Sequence, residues 1–309
     1  MEIKIHRAGL LTTLQDLGRT KNRADGVPIG GATDSFAARV ANALVGNPVG
    51  AALLELTLVG SELEFSADTV VALGGADFAG VPSWRPIHIR SGERLAIGPA
   101  HRGCRGYLAI AGGFETKSVL GSGGTYLAGG FGGFEGRALR EGDILRAPPL
   151  ARRVIGGWQI AARFLPTYPT PSTVRVIAGS AESDFEPGWG AGSFTVTPRS
   201  DRMGVRLSGA AWVRHGAKEL LSAPVVPGTI QVPPDGQPIV LLADAQTLGG
   251  YPQIAHVITV DLPLVAQWRS GDEVSFEITT LSHAHELTLA REKAFAMLRE
   301  GLAQKMRPV

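Results

Sequence analysis

The sequence predicts a mainly β protein built from many short strands. Glycine and proline are frequent, with 41 and 20 of the 309 residues, and these residue types mark the tight turns between strands. Short runs of β-branched or alternating apolar residues recur between the turns, which is the pattern of half-buried strands. Long stretches with a helical period are few. Together these observations favour strands joined by turns over a helical fold.

Strands are predicted throughout the first half of the chain. The N-terminus, MEIKIHRAG, has a strand pattern rather than the basic-then-apolar plan of a signal peptide. Further strands are predicted at ALLELTLV (52–59), ELEFS (62–66), TVVAL (69–73), ERLAIG (93–98) and GYLAIAG (106–112). One helix interrupts them, with Asp34 as a suitable N-cap and Gly46 closing its C-terminus. Phe36, Val40 and Leu44 share one face of this helix.

The segment LPTYPTPST (165–173) is predicted to separate two domains, because its prolines cannot continue a helix or sit in a central strand. Strands then resume at 173–179, 194–198, 204–209, 229–233, 238–243, 256–260 and 273–278. The predicted domains are residues 1–165 and 172–282, followed by a C-terminal helix over 283–309. The apolar stripe expected on this helix consists of Leu287, Ala290, Ala294, Met297 and Leu298.

Composition and motifs exclude several functions. The net charge is +2 without a Lys/Arg cluster, which argues against a nucleic-acid binder. No uninterrupted run of 18 apolar residues predicts a membrane span, so a soluble cytoplasmic protein is expected. The chain has one cysteine, and it lacks the dinucleotide-binding, P-loop and G-x-S-x-G motifs. His283 and His285 diverge on a helix, so no metal site is evident.

Three polar clusters are candidate sites. In TTLQDLGRTKNRADGVPIGGATDSFAARVAN (12–42), Gln15, Asp16 and Arg19 are predicted to lie in a glycine-punctuated loop. Asp34 follows as an N-cap, worth about 1 kcal/mol, or as a ligand-binding residue.

The second cluster is TPRSDRMGVRL (197–207), where Asp201 and Arg202 lie in a turn before a strand. Such a pair can hold the turn through bonds to the backbone. Alternatively, Arg202 can bind a carboxylate, carbamate or phosphate.

A third cluster lies at 231–251. Asp244 follows a strand that is apolar on both faces, as expected for a buried strand that carries a carboxylate at its end. Gln246 and Thr247 lie in the next loop, and beside a buried Asp they suit recognition of an amide or ureido group, which needs one acceptor and one donor. A turn stabilised by bonds from Asp244 to the backbone is the alternative.

Longer motifs of the sequence resemble the biotin-dependent carboxyltransferase family. The resemblance runs from about residue 3 to residue 278. It is carried, in collinear order, by LLTTLQDLGR (10–19), GATDSFAARVANALVGNP (31–48), SDRMGVRL (200–207) and GTIQVPPDGQPIVLLADAQTLGGYPQIA (228–255). Gly123, Ala128 and Ala245 stand where members of the family often carry arginine, which indicates an altered pocket.

The resemblance implies two tandem cyclophilin-like β-barrel domains and obligate partners. It implies a component of the C-subunit type in a multi-subunit ATP-dependent 5-oxoprolinase, which opens 5-oxo-L-proline to L-glutamate. The implied partners are a homologue of the B subunit, KipI-like or of allophanate hydrolase subunit 1 type, and a third component, the A subunit. ATP is then used at the level of the complex.

Two other functions stay open. One is transfer of a carboxyl group from carboxybiotin to an amide or urea, which would bring in biotin. The other is a non-catalytic regulator that binds a KipI-like kinase inhibitor. For the enzymatic functions, the expected catalytic residue is Asp244, with Asp201 and Asp16 as further candidates. The expected substrate-binding residues are Gln15, Arg19, Asp34, Arg202, Gln231, Gln237, Gln246, Thr247 and Tyr251.

Overall fold

The computed structural model describes residues 1–149, 152–154, 156–216 and 220–308. The chain divides into two compact units. Unit 1 comprises Met1–Arg19, Gly30–Pro166 and Lys293–Val309, and unit 2 comprises Thr20–Ile29 and Thr167–Glu292. These units differ from the predicted domains in two respects: residues 20–29 group with unit 2, and the C-terminal helix is divided between the units.

Among the described residues, unit 1 contains two larger antiparallel sheets, a two-stranded sheet of residues 152–154 and 306–308, and helix α1 (Ser35–Leu44). Its strands up to residue 154 are β1 (Glu2–Arg7), β2 (Leu11–Gln15), β3 (Leu53–Thr57), β4 (Glu62–Phe65), β5 (Thr69–Phe78), β6 (Pro86–Ile89), β7 (Arg94–Ala96), β8 (Ala100–Ile110), β9 (Ile144–Arg146) and β10 (Arg152–Val154). One sheet has the order β7-β4-β1-β9, and the other has the order β2-β3-β8-β5-β6.

The core of unit 1 is formed by alternate residues of both sheets. Ile3 and Phe65 of the four-stranded sheet belong to one buried apolar cluster with Leu54 and Leu108 of the five-stranded sheet. Helix α1 packs against β5 and β8. A side chain at Gly74 on β5 would place its Cβ 3.0 Å from the carbonyl oxygen of Ala37, so glycine lets the helix approach the sheet closely.

Unit 2 is a closed seven-stranded barrel with the order β11-β18-β15-β16-β13-β12-β19. Its elements are β11 (Ser172–Ala178), β12 (Ser193–Val196), β13 (Gly204–Gly209), β14 (Ala223–Pro224), β15 (Thr229–Gln231), β16 (Ile239–Leu241), β17 (Leu248–Gly249), β18 (Gln253–Val257), α2 (Leu262–Ala266) and β19 (Glu273–Ile278). The barrel closes through a parallel pairing of β11 with β19. Strands β14 and β17 form a separate two-stranded sheet.

The chain ends in helix α3 (Leu281–Ala303) and strand β20 (Met306–Pro308), which pairs with β10. The apolar stripe predicted for this helix was partly wrong: Leu298 is buried, but Met297 is 65% exposed and Ala290 is exposed. Phe295 and Leu302 are buried instead. Phe295, Leu298 and Leu302 follow one another at steps of three and four residues, so they lie on the same face of the helix. Among the described residues, no helix has the length and hydropathy needed to cross a membrane.

The mainly β fold class is confirmed, and most predicted strands lie within a few residues of their expected positions. Three expectations were wrong in position. Gln15 ends strand β2 rather than lying in a loop, β8 begins at Ala100, and β18 covers Gln253–Val257 rather than residues 256–260. In β2 the sequence does not alternate between apolar and polar residues, because two of its buried positions are occupied by threonines, Thr12 and Thr13.

Candidate functional site

Asp244 and Arg202 form a buried ion pair in unit 2. Arg202 Nε lies 2.8 Å from Asp244 Oδ2, and Arg202 Nη2 lies 2.9 Å from Oδ1. Each side chain is 5% exposed. Two parallel bonds of this kind fix the plane of the guanidinium group as well as its position. The two clusters that contain Asp244 and Arg202 therefore form a single site.

Strand pairing brings these two residues together. Strands β13 and β16 are antiparallel neighbours, with Gly204 opposite Leu241. Arg202 precedes β13 and Asp244 follows β16, so both lie at the same end of the pair. The backbone continues the pairing, because the Asp244 N–H donates to the carbonyl oxygen of Arg202 at 3.0 Å.

Asp201 holds the turn that precedes β13. Its Oδ1 accepts hydrogen bonds from the N–H groups of Met203 at 2.7 Å and Gly204 at 3.2 Å. Its side chain is exposed, and a carboxylate that caps backbone donors in this way stabilises a turn. In this cluster Asp201 thus binds backbone and Arg202 binds the carboxylate of Asp244, and the role of Arg202 in substrate binding stays a prediction.

Hydrogen bonds connect three residues that are near Asp244 in the sequence: Gln231, Gln246 and Tyr251. Gln246 Nε2 donates to Gln231 Oε1 at 3.3 Å, and Gln231 Nε2 donates to the carbonyl oxygen of Tyr251 at 3.1 Å. Gln231 is buried, whereas Gln246 is exposed. Thr247 is buried in the same loop, and its carbonyl oxygen accepts from the N–H of Val225. The exposed carboxamide of Gln246 is therefore held by a buried one.

Gln237 does not join this chain of hydrogen bonds. Its Oε1 accepts from the N–H of Gly209 at 2.9 Å, and its Nε2 donates to the carbonyl oxygen of the same residue at 3.2 Å. Asp235 accepts from the N–H of Gln237 at 3.0 Å. The Gln237 carboxamide therefore pairs with the backbone of Gly209 at the end of β13, as the backbone of a neighbouring strand would. Its role in substrate binding stays a prediction.

In unit 1, Asp16 and Arg19 hold the glycine-rich loop that covers residues 119–136. Asp16 Oδ1 accepts from Ser122 Oγ at 2.6 Å, and Asp16 Oδ2 accepts from the Gly123 N–H at 2.7 Å. Arg19, which is 1% exposed, donates to the carbonyl oxygens of Val119 and Gly124.

The Arg19 guanidinium group also lies 5.0 Å from the centre of the Phe131 ring. These contacts make Asp16 and Arg19 clamps for the loop. The catalytic role of Asp16 and the substrate-binding role of Arg19 stay predictions.

Gln15 belongs to the same clamp. Its Nε2 donates to Thr13 Oγ1 and to the carbonyl oxygen of Thr125, both at 3.1 Å. Among the described residues, its buried Oε1 has no hydrogen-bond partner. A Cβ at Gly124 would lie 2.9 Å from this oxygen and 3.0 Å from Asp16 Oδ1. These oxygens therefore converge on the Cα of Gly124 and leave no room for a side chain there.

Asp34 is the N-cap of α1, as predicted, and its Oδ1 accepts from the Ala37 N–H at 2.9 Å. Its own N–H donates to the hydroxyl of Tyr107 at 2.7 Å. Burial, and then the negative charges of Glu55 and Asp34, raise the pKa of Tyr107 well above its ordinary range. Glu55 and Arg105 are also buried, with Arg105 Nε 4.0 Å from Glu55 Oε1.

This buried polar cluster was missed by the sequence reasoning. The available signal was Glu55 itself, because a carboxylate within the apolar strand LLELT needs a partner if it is buried.

The positions at which the resemblance leads us to expect arginine hold Gly123, Ala128 and Ala245, in three different environments. A Cβ at Gly123 would lie 2.2 Å from Thr116 Oγ1, so this position cannot hold an arginine without rearrangement. Ala245 is buried in a small apolar cluster with Val225 and Leu241. Ala128 is exposed.

Two cavities open in unit 2 on either side of Tyr251. The larger has a volume of about 740 Å³ and is lined by Phe185, Trp212, Pro233 and Asp235, among others. The smaller has a volume of about 340 Å³ and is lined by Asp184, Leu221 and Gln253, among others. Both are lined by Arg214, Leu220 and Tyr251. We call the two cavities and these three shared residues the Tyr251 groove.

Metal chemistry has no evident site in the described residues. Within residues 1–149, 152–154, 156–216 and 220–308, no group of three or more His, Cys, Asp or Glu side chains could hold a metal ion.

Comparison with known proteins gives a consistent family. The family model described as "Carboxyltransferase domain, subdomain A and B" matches residues 25–278. The chain is 37% identical over 307 residues to the C subunit of 5-oxoprolinase from Escherichia coli (strain K12), covering 96% of this chain and 97% of that protein.

Among solved structures, the urea carboxylase of Kluyveromyces lactis superposes with a TM-score of 0.89 at 29% identity, covering 99% of this chain and 30% of that one. The protein TTHA0988 superposes with a TM-score of 0.79 at 36% identity, covering 89% of this chain and 55% of that one. The chain therefore spans nearly the whole of the first relative, but only part of either solved structure.

Proposed function

The chain belongs to the family of carboxyltransferase domains with subdomains A and B, and we propose that it is the C-subunit type component of a multi-subunit ATP-dependent 5-oxoprolinase. The observation that supports this proposal best is the alignment with the C subunit of 5-oxoprolinase from E. coli, which covers 96% of this chain and 97% of that relative. Relatives that share only a domain would leave much of one chain uncovered. The reaction is the opening of 5-oxo-L-proline to L-glutamate, driven by ATP hydrolysis.

The chemistry of the Gln231–Gln246 pair supports a lactam substrate. A lactam presents one N–H donor and one carbonyl acceptor side by side, and a carboxamide offers the complementary acceptor and donor. Gln246 is exposed and is held by the buried Gln231, so its carboxamide can be presented to a ligand without further ordering. We assign Gln246 to recognition of the lactam edge.

The Asp244–Arg202 ion pair supports a role for Asp244 in orienting Arg202 at the same site. Both oxygens of Asp244 are bound to one guanidinium group, so the carboxylate fixes Arg202 in place. A carboxylate has about four lone-pair positions, so two bonds to Arg202 leave positions that can accept a hydrogen bond. We therefore assign Asp244 first to orientation of Arg202 and keep proton transfer as its second proposed role.

Other polypeptides must supply part of the chemistry. The sequence has no phosphate-binding loop motif and no nucleophile elbow, so we expect ATP to be bound with the help of a homologue of the B subunit and of a further component, the A subunit. Because the reaction consumes ATP, we place the complex in the cytoplasm.

A second candidate function is carboxyl transfer to an amide or urea. The superposition on the K. lactis urea carboxylase, with a TM-score of 0.89, favours it. The donor would be carboxybiotin on a separate carrier, and the biotin ureido ring has the same donor and acceptor pattern that suits Gln246.

Reconstitution decides between these functions. The chain, its homologue of the B subunit and the third component are purified together, and glutamate release from 5-oxo-L-proline is measured with and without ATP. We expect ATP-dependent release from the full complex and none from this chain alone.

Ring opening by the isolated chain, or a full complex that is inactive on 5-oxo-L-proline, would contradict the proposal. Carboxylation of urea by the chain with a carboxybiotin carrier would support the second candidate. A tight complex that turns over neither substrate would indicate a regulatory binding protein.

A further inference from the structure

The Tyr251 groove lies within a patch of exposed apolar side chains in unit 2. Leu221 is 93% exposed, Leu248 is 57% exposed and Tyr251 is 47% exposed. Leu220 and Tyr251 line both cavities, and Leu221 lines the smaller one. Soluble proteins rarely expose contiguous apolar patches of this kind except where they bind another molecule.

The walls of the groove combine aromatic rings and prolines. Phe185 and Trp212 are buried, so they form a fixed floor, and Pro233 stiffens the rim of the larger cavity. Trp212 stacks edge-on against Trp189 with ring centres 5.3 Å apart, which holds its indole in place. A rigid aromatic surface suits an apolar segment that loses little entropy in binding.

The charges around the groove are mainly negative. Among the described residues, Asp184 and Asp235 line the cavities and Glu186 follows Phe185 in the chain. Arg214 is the basic residue that lines both cavities, and its Nη2 donates to Asp184 Oδ2 at 2.9 Å. The rim therefore attracts a segment that carries a lysine or arginine in addition to apolar side chains.

The lengths of the relatives indicate where such a segment comes from. This chain covers 97% of the E. coli protein, which is named as one subunit of an enzyme, but only 55% of TTHA0988. The remainder of TTHA0988 is thus joined covalently to its matching part. The E. coli relative is named as one subunit, so we take the equivalent of that remainder to be a separate polypeptide of the same assembly.

We propose that the Tyr251 groove docks an apolar segment with at least one lysine or arginine, supplied by the polypeptide that corresponds to the remainder of TTHA0988. The inference rests on the proposed function only in taking that polypeptide to belong to the same assembly.

Binding to that polypeptide tests the inference. The probe is the protein of the same genome that matches the part of TTHA0988 outside the region covered by this chain. Its Kd for the full chain is measured by calorimetry, and the masses of the free chain and the complex by light scattering. We expect Leu220→Asp and Leu221→Asp each to weaken binding at least about tenfold, as for central contacts of an interface. Added salt and Glu186→Lys should weaken binding as well.

The matched control is Leu289→Asp. Leu289 is 62% exposed on α3, so it receives the same substitution on a surface outside the groove, and its Kd should equal that of the wild-type chain. Circular dichroism of each variant checks that the fold is kept.

Several outcomes overturn the inference. One is a complex whose Kd is unchanged in both groove variants, and another is no binding by the wild-type chain. A homodimer that Leu221→Asp dissociates would make a second copy of this chain the occupant. If the groove variants weaken the complex as expected but the complete assembly releases no glutamate from 5-oxo-L-proline, the proposed function fails while the docking site stands.

Discussion

Asp244 and Arg202 bind each other through two hydrogen bonds, from Nε to Oδ2 at 2.8 Å and from Nη2 to Oδ1 at 2.9 Å, and both are 5% exposed. A buried pair of this kind connects stability to the geometry of the site. If either partner is removed, the other charge stays buried and loses its two-bond partner. A loss of activity after substitution of Asp244 therefore has to be separated from a loss of folded protein.

We expect Asp244→Asn to lower the free energy of unfolding by about 3 kcal/mol, because breaking a buried ion pair is costly. Arg202→Gln should cost a similar amount. The double variant should cost clearly less than the sum of the two single changes, because both changes remove the same interaction. Urea unfolding of the four proteins measures this.

Asp201→Asn is the control, because Asp201 is exposed and binds only turn backbone in the contacts described above. It should cost about 1 kcal/mol. Additive effects of Asp244→Asn and Arg202→Gln would show that the pair is not coupled. In the reconstituted complex, turnover per folded molecule should stay low in the double variant even though stability is partly restored.

The sequence placed Asp244 at the end of a buried strand and Arg202 in a turn before another strand, but it did not predict their contact. That contact depends on the register in which β13 pairs with β16, with Gly204 opposite Leu241. Register is set by long-range packing of the barrel and by turns between the strands. The types of residue in the site could thus be predicted, whereas their grouping could not.

Gln237 and Gln246 are a matched pair for testing which carboxamide serves the substrate. Gln237→Ala removes two hydrogen bonds to Gly209 and should lower the free energy of unfolding by about 1 kcal/mol, with KM unchanged. Gln246→Ala should leave stability nearly unchanged, because its side chain is exposed, and should raise the KM for 5-oxo-L-proline about tenfold or more. Steady-state kinetics of the reconstituted complex and thermal unfolding distinguish the two. The reverse pattern would move amide recognition to Gln237.

The glycine-rich loop should depend on Arg19 for its conformation. Arg19→Leu removes the guanidinium donor from the carbonyl oxygen of Gly124 and from that of Val119, which keeps the Ser122 N–H, at about 1–3 kcal/mol for a buried group. Arg19→Lys should recover little, since an ammonium group cannot reproduce the planar geometry of the guanidinium. Hydrogen exchange should show faster opening of residues 119–136 in both variants. Arg90→Leu, at an exposed position, is the control, and equal exchange in Arg19→Leu and wild type would contradict the clamp.

Strand β2 shows why part of the fold escaped prediction. Its buried Thr12 donates from Oγ1 to the carbonyl oxygen of Ala8 and lies 2.9 Å from Ser61 Oγ. Those contacts satisfy the hydroxyl group, so a polar residue occupies an interior position and interrupts the apolar alternation. Strands with apolar interiors, such as β13 and β19, match their predicted ranges of 204–209 and 273–278.

His256 on β18 provides a test at mild pH. Its Nδ1 lies 3.2 Å from the hydroxyl of Thr229, which is fully buried. Burial lowers the pKa of His256 from its ordinary value of 6.5. The unfolded chain therefore takes up a proton on this residue at a higher pH than the folded chain does.

The stability that neutral His256 contributes is complete above about pH 6.5 and is lost as the pH falls through the lower pKa of the folded state. We therefore expect the free energy of unfolding of the wild-type chain to fall between about pH 7.5 and about pH 5.5. In His256→Gln, which keeps a polar side chain but cannot titrate, the fall should be smaller. His285→Gln, at an exposed position of α3, should follow the wild-type dependence. Guanidinium unfolding at several pH values measures all three proteins. Identical slopes for wild type and His256→Gln would show that His256 does not contribute to the pH dependence, because its proton affinity would then be the same in the folded and unfolded states.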